Sequence, residues 1–219
     1  MIDLVVLPDP ASVARAAADE FVTAAASAER FAVCLSGGST PQATHRLLAS
    51  PEYAGRVDWQ RCHVFFGDER RVPLDDPRSN YHNARTALLD HVPIPQAQVH
   101  PLTSADLYEG LLRSFFGASC DFDLLFLGIG DDGHTASLFP GSVSLMEAER
   151  WVVEPPDVVA GMSRLTLTLP ALNAARRTLF LATGGAKREP LSRIRTGTPL
   201  PAGLVEGGRF LVDRAAAGA

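Results

Sequence analysis

Short apolar runs alternate with longer amphipathic or alanine-rich segments along most of the chain. The runs predict buried strands at 2–6, 31–35, 62–66, 123–127, 165–169 and 179–182, with shorter candidates at 152–153 and 210–212. The intervening segments predict helices from Asp9-Pro10 to about Glu29, from Pro41, from a Ser79 cap to about Leu89, and over 104–116. Helices between strands indicate an α/β fold with a mostly parallel open sheet, helices on both faces and a possible small β subdomain.

The length of 219 residues predicts one domain over 1–219, with 210–212 as an edge strand and a frayed Ala/Gly tail at 214–219. Four polar turns, 36–40, 67–71, 128–134 and 183–187, each follow a predicted strand. Because the carboxyl ends of parallel strands share one edge of a sheet, we expect these turns to form a single ligand site.

The turn Ser36-Gly37-Gly38-Ser39-Thr40 precedes a helix that is predicted to begin at Pro41. Glycines allow close approach of a ligand, hydroxyls donate hydrogen bonds, and a helix N-terminus attracts anions, so the pattern predicts a phosphate site. A plain strand-to-helix turn capped by Thr40 is the alternative. The loop lacks the GxxxxGK[ST] pattern of a P-loop.

The turn at 128–134 contains His134, preceded by Asp131 and Asp132. Its Gly128-x-Gly130-x-x-Gly133 spacing matches the dinucleotide fingerprint, but Pro140-Gly141 interrupts the helix which that fingerprint requires. A histidine with a near-neutral pKa in such a turn is a candidate general base or acid; a structural histidine is the alternative. The two acids and the histidine could also hold a metal, but no second ligand cluster supports this, and we expect none. No GxSxG motif indicates a serine nucleophile.

Charged residues end two further strands. Asp68 and Arg70 are two residues apart, so in extended backbone they point the same way, whereas Glu69 and Arg71 fit a solvated surface cluster. Arg164 begins the strand RLTLTL and is a candidate phosphate ligand. Lys187 is the only lysine among 20 basic residues and lies in a glycine turn after a strand, which favours a specific role.

Composition and net charge narrow the classes of molecule that the protein could bind. The formal net charge of −5 argues against nucleic acid, and no apolar stretch approaches the roughly 18 residues of a membrane helix. The first ten residues do not resemble a signal peptide, and the dispersed Cys34, Cys62 and Cys120 fit buried thiols in a reducing cytosol. We therefore expect a cytoplasmic protein that acts on a small molecule.

Six segments together carry a resemblance to a known family. LSGGSTP (35–41), FFGDERRVP (65–73), SNYHNAR (79–85), LGIGDDGHTASLFPG (127–141), RLTLTLPALNAA (164–175) and GGAK (184–187) occur in this order. In these segments the chain resembles the 6-phosphogluconolactonase family. The resemblance implies hydrolysis of 6-phosphoglucono-1,5-lactone in the oxidative pentose phosphate pathway, a fold shared with glucosamine-6-phosphate deaminases, and no metal or other cofactor. It does not predict the oligomeric state.

Two other functions remain open at this stage. Deaminase relatives share the glycine loop and the DGH turn, but they resemble DEY where this chain has Asp68-Glu69-Arg70, and they carry a glutamate where this chain has Leu138-Phe139-Pro140. A non-catalytic sugar-phosphate sensor could keep the loop and lose the catalytic turn, yet both are present here.

The resemblance also implies roles for the residues. His134 would activate water, Asp68 or Asp131 would orient its imidazole, and Arg70 would stabilise the oxyanion. The 6-phosphate would be held by Gly37, Gly38, Ser39, Thr40, Arg164 and Lys187.

Overall fold

A computed structural model describes residues 2–219. Its strands are β1 (Asp3–Leu7), β2 (Phe31–Leu35), β3 (Cys62–Phe66), β4 (Asp68–Arg70), β5 (Leu124–Leu127), β6 (Val152–Val153), β7 (Arg164–Leu167), β8 (Thr178–Ala182) and β9 (Arg209–Asp213). Its α-helices are α1 (Pro10–Ser27), α2 (Ser39–Leu48), α3 (Asn80–Ala87), α4 (Ala105–Phe116), α5 (Leu169–Asn173), α6 (Arg188–Arg195) and α7 (Arg214–Ala217).

Six strands form one parallel sheet in the order β1-β9-β8-β5-β2-β3. After β2 the chain adds β3 on one side, then returns to place β5 on the other side. The strand order therefore reverses between β2 and β5, and in open α/β sheets such a reversal leaves a crevice at the carboxyl ends of the strands. A second, antiparallel sheet has the order β4-β7-β6 and corresponds to the expected small β subdomain.

The core lies on both faces of the parallel sheet. Every residue of β2, β5 and β8 is buried. Since successive side chains of a strand point to opposite faces, an unbroken buried run requires that both faces be covered. The predicted fold class, an α/β protein with a mostly parallel sheet, is confirmed.

Two predicted helix starts are also confirmed. The Asp9 carboxylate accepts a hydrogen bond from the Ser12 N–H at 2.7 Å, with Pro10 as the first helical residue. Ser79 caps α3 through the His82 N–H at 3.1 Å. Each cap satisfies one of the N–H groups that a helix leaves unpaired at its first turn.

Three predictions are wrong in detail. The strand predicted at 210–212 as an edge strand is β9, which pairs with β8 on one side and β1 on the other, and β1 with its partly exposed residues is the edge. The tail predicted to fray contains α7, because the Asp213 carboxylate accepts the Ala216 N–H at 2.8 Å and caps the helix. Helix α2 begins at Ser39 rather than at Pro41, since proline is tolerated throughout a first turn, where its missing N–H costs nothing.

The described residues include no helix with the length and apolar character needed to cross a bilayer. The three cysteines are buried and unpaired, as their sequence context predicted. Burial raises the pKa of the Cys62 thiol to about 12, so that it stays protonated at neutral pH.

A buried histidine gives the fold a specific acid sensitivity. His45 on α2 is 1 % exposed, neither ring nitrogen has a hydrogen-bond partner within residues 2–219, and burial lowers its pKa to about 4. Between pH 6.5 and 4 the unfolded chain binds a proton that the folded chain refuses, so the free energy of unfolding falls as the pH falls through this window. We expect a loss on the order of 3 kcal/mol from His45.

Urea unfolding at a series of pH values measures this dependence. His45→Leu should flatten the slope between pH 6.5 and 4, and a smaller slope should persist because burial also lowers the pKa of His100 to about 4. An unchanged slope in the variant would contradict the assignment.

Candidate active site

A single cavity occupies the carboxyl edge of the sheet at the strand-order reversal. All the predicted site residues except Asp131 line it, namely Gly37, Gly38, Ser39, Thr40, Asp68, Arg70, His134, Arg164 and Lys187. The four segments that follow β2, β3, β5 and β8 therefore meet, as the sequence predicted, although the segment after β3 is the strand β4 and not a turn. Asp131 lines an adjoining cavity together with His134 and Lys187.

The turn after β2 presents an uncapped helix N-terminus to this cavity. Gly38 precedes α2 with φ of 102°, a conformation that favours glycine, and no side chain caps the helix. Thr40 is not the cap. Its Oγ1 forms a hydrogen bond of 2.8 Å with Oγ1 of Thr183, the first residue after β8. Unpaired N–H groups at a helix N-terminus form a binding place for an anion.

The turn after β5 holds His134 against a carboxylate. Nδ1 of the imidazole lies 2.6 Å from Oδ1 of Asp132, which also accepts the His134 backbone N–H at 3.0 Å. Partial burial alone would raise the pKa of Asp132, but these contacts with His134 hold it below its usual value. Asp132 thus stays ionised and favours the tautomer with the proton on Nδ1, which leaves Nε2 as the proton acceptor.

Two glycines make this turn possible. A Cβ on Gly130 would lie 2.0 Å from Nδ1 of His134 and 2.6 Å from Oδ1 of Asp132. Gly133 has φ of 85° and packs so closely on Leu200 that a Cβ would lie 2.6 Å from its side chain. Gly130 therefore leaves room for the histidine–carboxylate contact, and Gly133 allows the turn to pack on Leu200.

The carboxylate expected at the imidazole was Asp68 or Asp131, and the structure corrects this to Asp132. Asp131 instead forms an ion pair with Lys187, with 2.5 Å between Oδ1 and Nζ. Asp68 accepts hydrogen bonds from Ser137 Oγ at 2.7 Å and from the Asn80 amide at 3.0 Å. The Asp68 and Asp131 carboxylates are therefore both bound to groups other than the imidazole of His134.

Arg70 and Arg164 lie opposite each other on the antiparallel strands β4 and β7. Nε of each guanidinium is buried without a hydrogen-bond partner among the described residues. Burial and then the charge of Arg70 lower the pKa of Arg164. Two like charges with unused donors in one cavity wall are stabilised by a bound anion, so this wall adds to the anion-binding character of the glycine turn.

Glu69 was expected on the surface, and this is wrong. It is 2 % exposed, and its carboxylate accepts the N–H groups of Asn80 and Tyr81 and the hydroxyl of Ser79 at 2.7–2.9 Å. Along β4, side chains alternate between faces, so Asp68 and Arg70 line the cavity while Glu69 binds the N-terminus of α3.

Sequence reasoning missed Asp132 as the imidazole's partner, Asn80, Ser137 and Asp213. Asp213 accepts the Gly184 N–H at 3.0 Å and so fixes the turn that carries Lys187. Asn80, Asp132 and Ser137 lie in segments that carry the family resemblance, and the Ser79 cap places Asn80 first in α3, but only tertiary contacts reveal what these side chains bind. Asp213 lies outside those segments. Within residues 2–219 no three histidine, cysteine or acidic side chains converge in a way that could hold a metal ion.

The fold and site define an α/β protein in which a helix N-terminus and two arginines lie beside a histidine–aspartate pair at the carboxyl edge of a parallel sheet. Residues 8–212 match the family model described as glucosamine-6-phosphate isomerases/6-phosphogluconolactonase. The chain belongs to this family.

Relatives support the match along most of the chain. A 6-phosphogluconolactonase of Synechocystis sp. is 42 % identical over 175 residues, which cover 74 % of this chain and 70 % of the relative. The human 6-phosphogluconolactonase is 42 % identical over 196 residues, covering 81 % and 74 %.

Solved structures agree with the fold. The 6-phosphogluconolactonase of Thermotoga maritima superposes with a TM-score of 0.85 at 31 % identity, covering 97 % of this chain and 100 % of that one. The Trypanosoma cruzi enzyme gives 0.87 at 31 %, covering 100 % and 96 %. A monomeric glucosamine-6-phosphate deaminase gives 0.85 at 21 % identity and shares the fold alone.

The contact between Gly37 and α3 gives a test of the site's packing. A Cβ on Gly37 would lie 2.0 Å from Oδ1 of Asn80, so Gly37→Ala should lower the free energy of unfolding by about 1–3 kcal/mol. Gly110→Ala is the matched control, because nothing lies within 4 Å of its Cβ on the exposed face of α4. Urea unfolding should show the control to be stabilised by about 0.5–1 kcal/mol; equal effects of the two substitutions would contradict the packing.

Proposed function

We propose that this protein hydrolyses 6-phospho-D-glucono-1,5-lactone to 6-phospho-D-gluconate, a step of the oxidative pentose phosphate pathway. The observation that carries the proposal is His134, paired with Asp132, in the same cavity as an uncapped helix N-terminus and two arginines whose Nε atoms have no hydrogen-bond partner among the described residues. A substrate with a permanent anion and an electrophilic carbonyl fits this combination. The names of the Synechocystis and human relatives point to the same reaction.

In the proposed mechanism His134 is the general base. Its Nδ1 is engaged by Asp132, so Nε2 removes a proton from water as the water oxygen bonds to C1 of the lactone. The tetrahedral intermediate then collapses, the bond between C1 and the ring oxygen breaks, and His134 returns the proton to that oxygen. Such acid–base catalysis contributes roughly 10²–10⁴-fold to the rate, and Asp132 stabilises the imidazolium between the two steps.

The positive groups bind the charges of the substrate. We propose that the 6-phosphate lies against Gly37, Gly38, Ser39, Thr40, Arg164 and Lys187, and that Arg70 stabilises the oxyanion at C1. Binding the phosphate places C1 at the histidine, so remote binding energy is used for orientation. The reaction written this way requires no metal or other cofactor.

Phe139 favours a lactonase over a deaminase. Its ring lies 4.6 Å from the imidazole of His134, centroid to centroid. Moving protons on an amino sugar calls for a further acid or base next to the histidine, and a phenyl ring has no proton to exchange. Lactone hydrolysis needs only the proton that the histidine takes from water.

The direct test is lactone hydrolysis, with the substrate generated in situ from glucose 6-phosphate and its dehydrogenase and the spontaneous ring opening subtracted. We expect clear acceleration by the wild-type protein. His134→Ala should lower kcat by roughly 10²–10⁴-fold because the base is lost, and Asp132→Asn should also lower kcat because the imidazole loses its ionised partner.

Other results would separate the parts of the proposal. Acceleration that survives in His134→Ala would keep the reaction and move the base elsewhere. If the wild-type protein does not exceed the background rate, the lactonase assignment is wrong. Turnover of glucosamine 6-phosphate, or tight binding of sugar phosphates without turnover, would then identify the deaminase or the sensor.

Lys187 provides a separate test of the phosphate site. Lys187→Ala should raise KM for the phosphorylated lactone roughly 10- to 100-fold, since a hydrogen bond to a charged group is lost. KM for unphosphorylated glucono-1,5-lactone should change little. An unchanged KM for the phosphorylated substrate would show that the ammonium does not bind the phosphate.

A further inference from the structure

Asn80 is a buried residue of the cavity wall for which the proposed mechanism has no use. It is the first residue of α3, is 3 % exposed and lines the cavity. Uncharged and unable to transfer a proton, it takes no direct part in acid–base chemistry. Its contacts nevertheless join two parts of the site that are far apart in the sequence.

The side-chain amide of Asn80 binds Asp68 twice. Nδ2 donates to the Asp68 backbone carbonyl at 2.9 Å and to Oδ1 of the Asp68 carboxylate at 3.0 Å. Both partners are acceptors, so the orientation of the amide is determined: the nitrogen must face Asp68 and the oxygen must face the other way. Ser137 holds the second carboxylate oxygen of Asp68 at 2.7 Å.

The amide oxygen of Asn80 faces the glycine turn. Oδ1 is buried and has no hydrogen-bond partner in the described part of the chain, and a Cβ on Gly37 would lie 2.0 Å from it and 2.6 Å from Cγ. No positive φ is involved at Gly37, so the contact with Asn80, rather than backbone conformation, is what requires glycine there. The turn that begins the anion-binding region therefore rests directly on the Asn80 amide.

Asn80 is itself held rigidly from behind. The Glu69 carboxylate accepts its backbone N–H at 2.7 Å, together with the Tyr81 N–H at 2.8 Å. Ser79 adds its hydroxyl to the same carboxylate at 2.9 Å. Because the Asn80 backbone is bound to Glu69 of β4, a shift of β4 would also move the Asn80 side chain and the Gly37 turn that packs on it.

We infer that Asn80 is a positioning residue that holds the Asp68 carboxylate and the Gly37 turn at a fixed separation across the site. The inference rests on the proposed function for its activity readout only. Without the amide, Asp68 loses a partner for its carboxylate and the glycine turn loses the surface on which it rests. Both the group facing the substrate and the anion-binding turn are then free to shift.

The activity test compares two neighbouring substitutions at the start of α3. Asn80→Ala should lower kcat/KM for the phosphorylated lactone about 10- to 100-fold, the effect expected of a displacement near 1 Å, with changes in both kcat and KM. Ser79→Ala is the matched control: it removes the helix cap and a bond to Glu69 but touches neither Asp68 nor Gly37. It should lower stability and leave kcat/KM near the wild-type value.

A stability cycle tests the contact without any turnover. Gly37→Ala should lower the urea midpoint in the wild-type background, and this shift should largely vanish in the Asn80→Ala background, where the clashing atoms are gone. If Asn80→Ala folds poorly, Asn80→Ser is used in its place, because serine is well tolerated at the start of a helix.

Two results would overturn the inference: kcat/KM equal in Asn80→Ala and Ser79→Ala, or the same midpoint shift for Gly37→Ala in both backgrounds. Failure of the proposed function is distinct from either, since it appears as an inactive wild-type protein whose stability cycle can still be measured.

Discussion

The reversal of strand order between β2 and β5 is the constraint on which the site depends. If each successive strand were added on the same side of the sheet, the glycine turn and the histidine turn would lie at distant points of the sheet edge. Because β5 returns to the side of β2 opposite β3, the turns that follow them are adjacent, with the turn that follows β8 next in line. The hydrophobic runs form the strands of this sheet, and the order of these strands determines which polar residues meet at its carboxyl edge.

Strand β4 shows how three residues can serve two purposes at once. Alternation sends Asp68 and Arg70 into the cavity and Glu69 to the opposite side, where its buried carboxylate binds the N-terminus of α3. Burial raises the pKa of Glu69 despite the N–H and hydroxyl donors around it. The desolvation cost of the Glu69 carboxylate is partly offset by its hydrogen bonds to the N-terminus of α3. The same hydrogen bonds fix the backbone of Asn80, whose side-chain amide binds Asp68.

The sequence was sufficient for the sheet, for the two helix caps and for the meeting of the four turns, because periodic burial and cap chemistry are local signals. It offered Asp68 or Asp131 as the partner of His134 and missed Asp132. Asp131 and Asp132 are adjacent and chemically identical, and only the fold of the glycine turn decides which of them reaches Nδ1.

Other features were beyond sequence reasoning for related reasons. Strand β4 is short and charged, so it has no apolar period, and its place depends on pairing with β7, almost a hundred residues later. Asn80 and Ser137 are small polar residues of ordinary type, and their importance comes from tertiary contacts alone. The tail helix α7 depends on Asp213, whose carboxylate also binds the turn before Lys187.

The opposed guanidiniums of Arg70 and Arg164 have a consequence for the protein as a whole. Under the proposed function, an anion bound between them relieves their mutual repulsion, so its free energy of binding adds to the free energy of unfolding. If the proposed substrate binds there, we expect the protein to become more resistant to unfolding and proteolysis as the concentration of that substrate rises. The supply of that substrate would then influence the lifetime of the protein as well as the occupancy of its site.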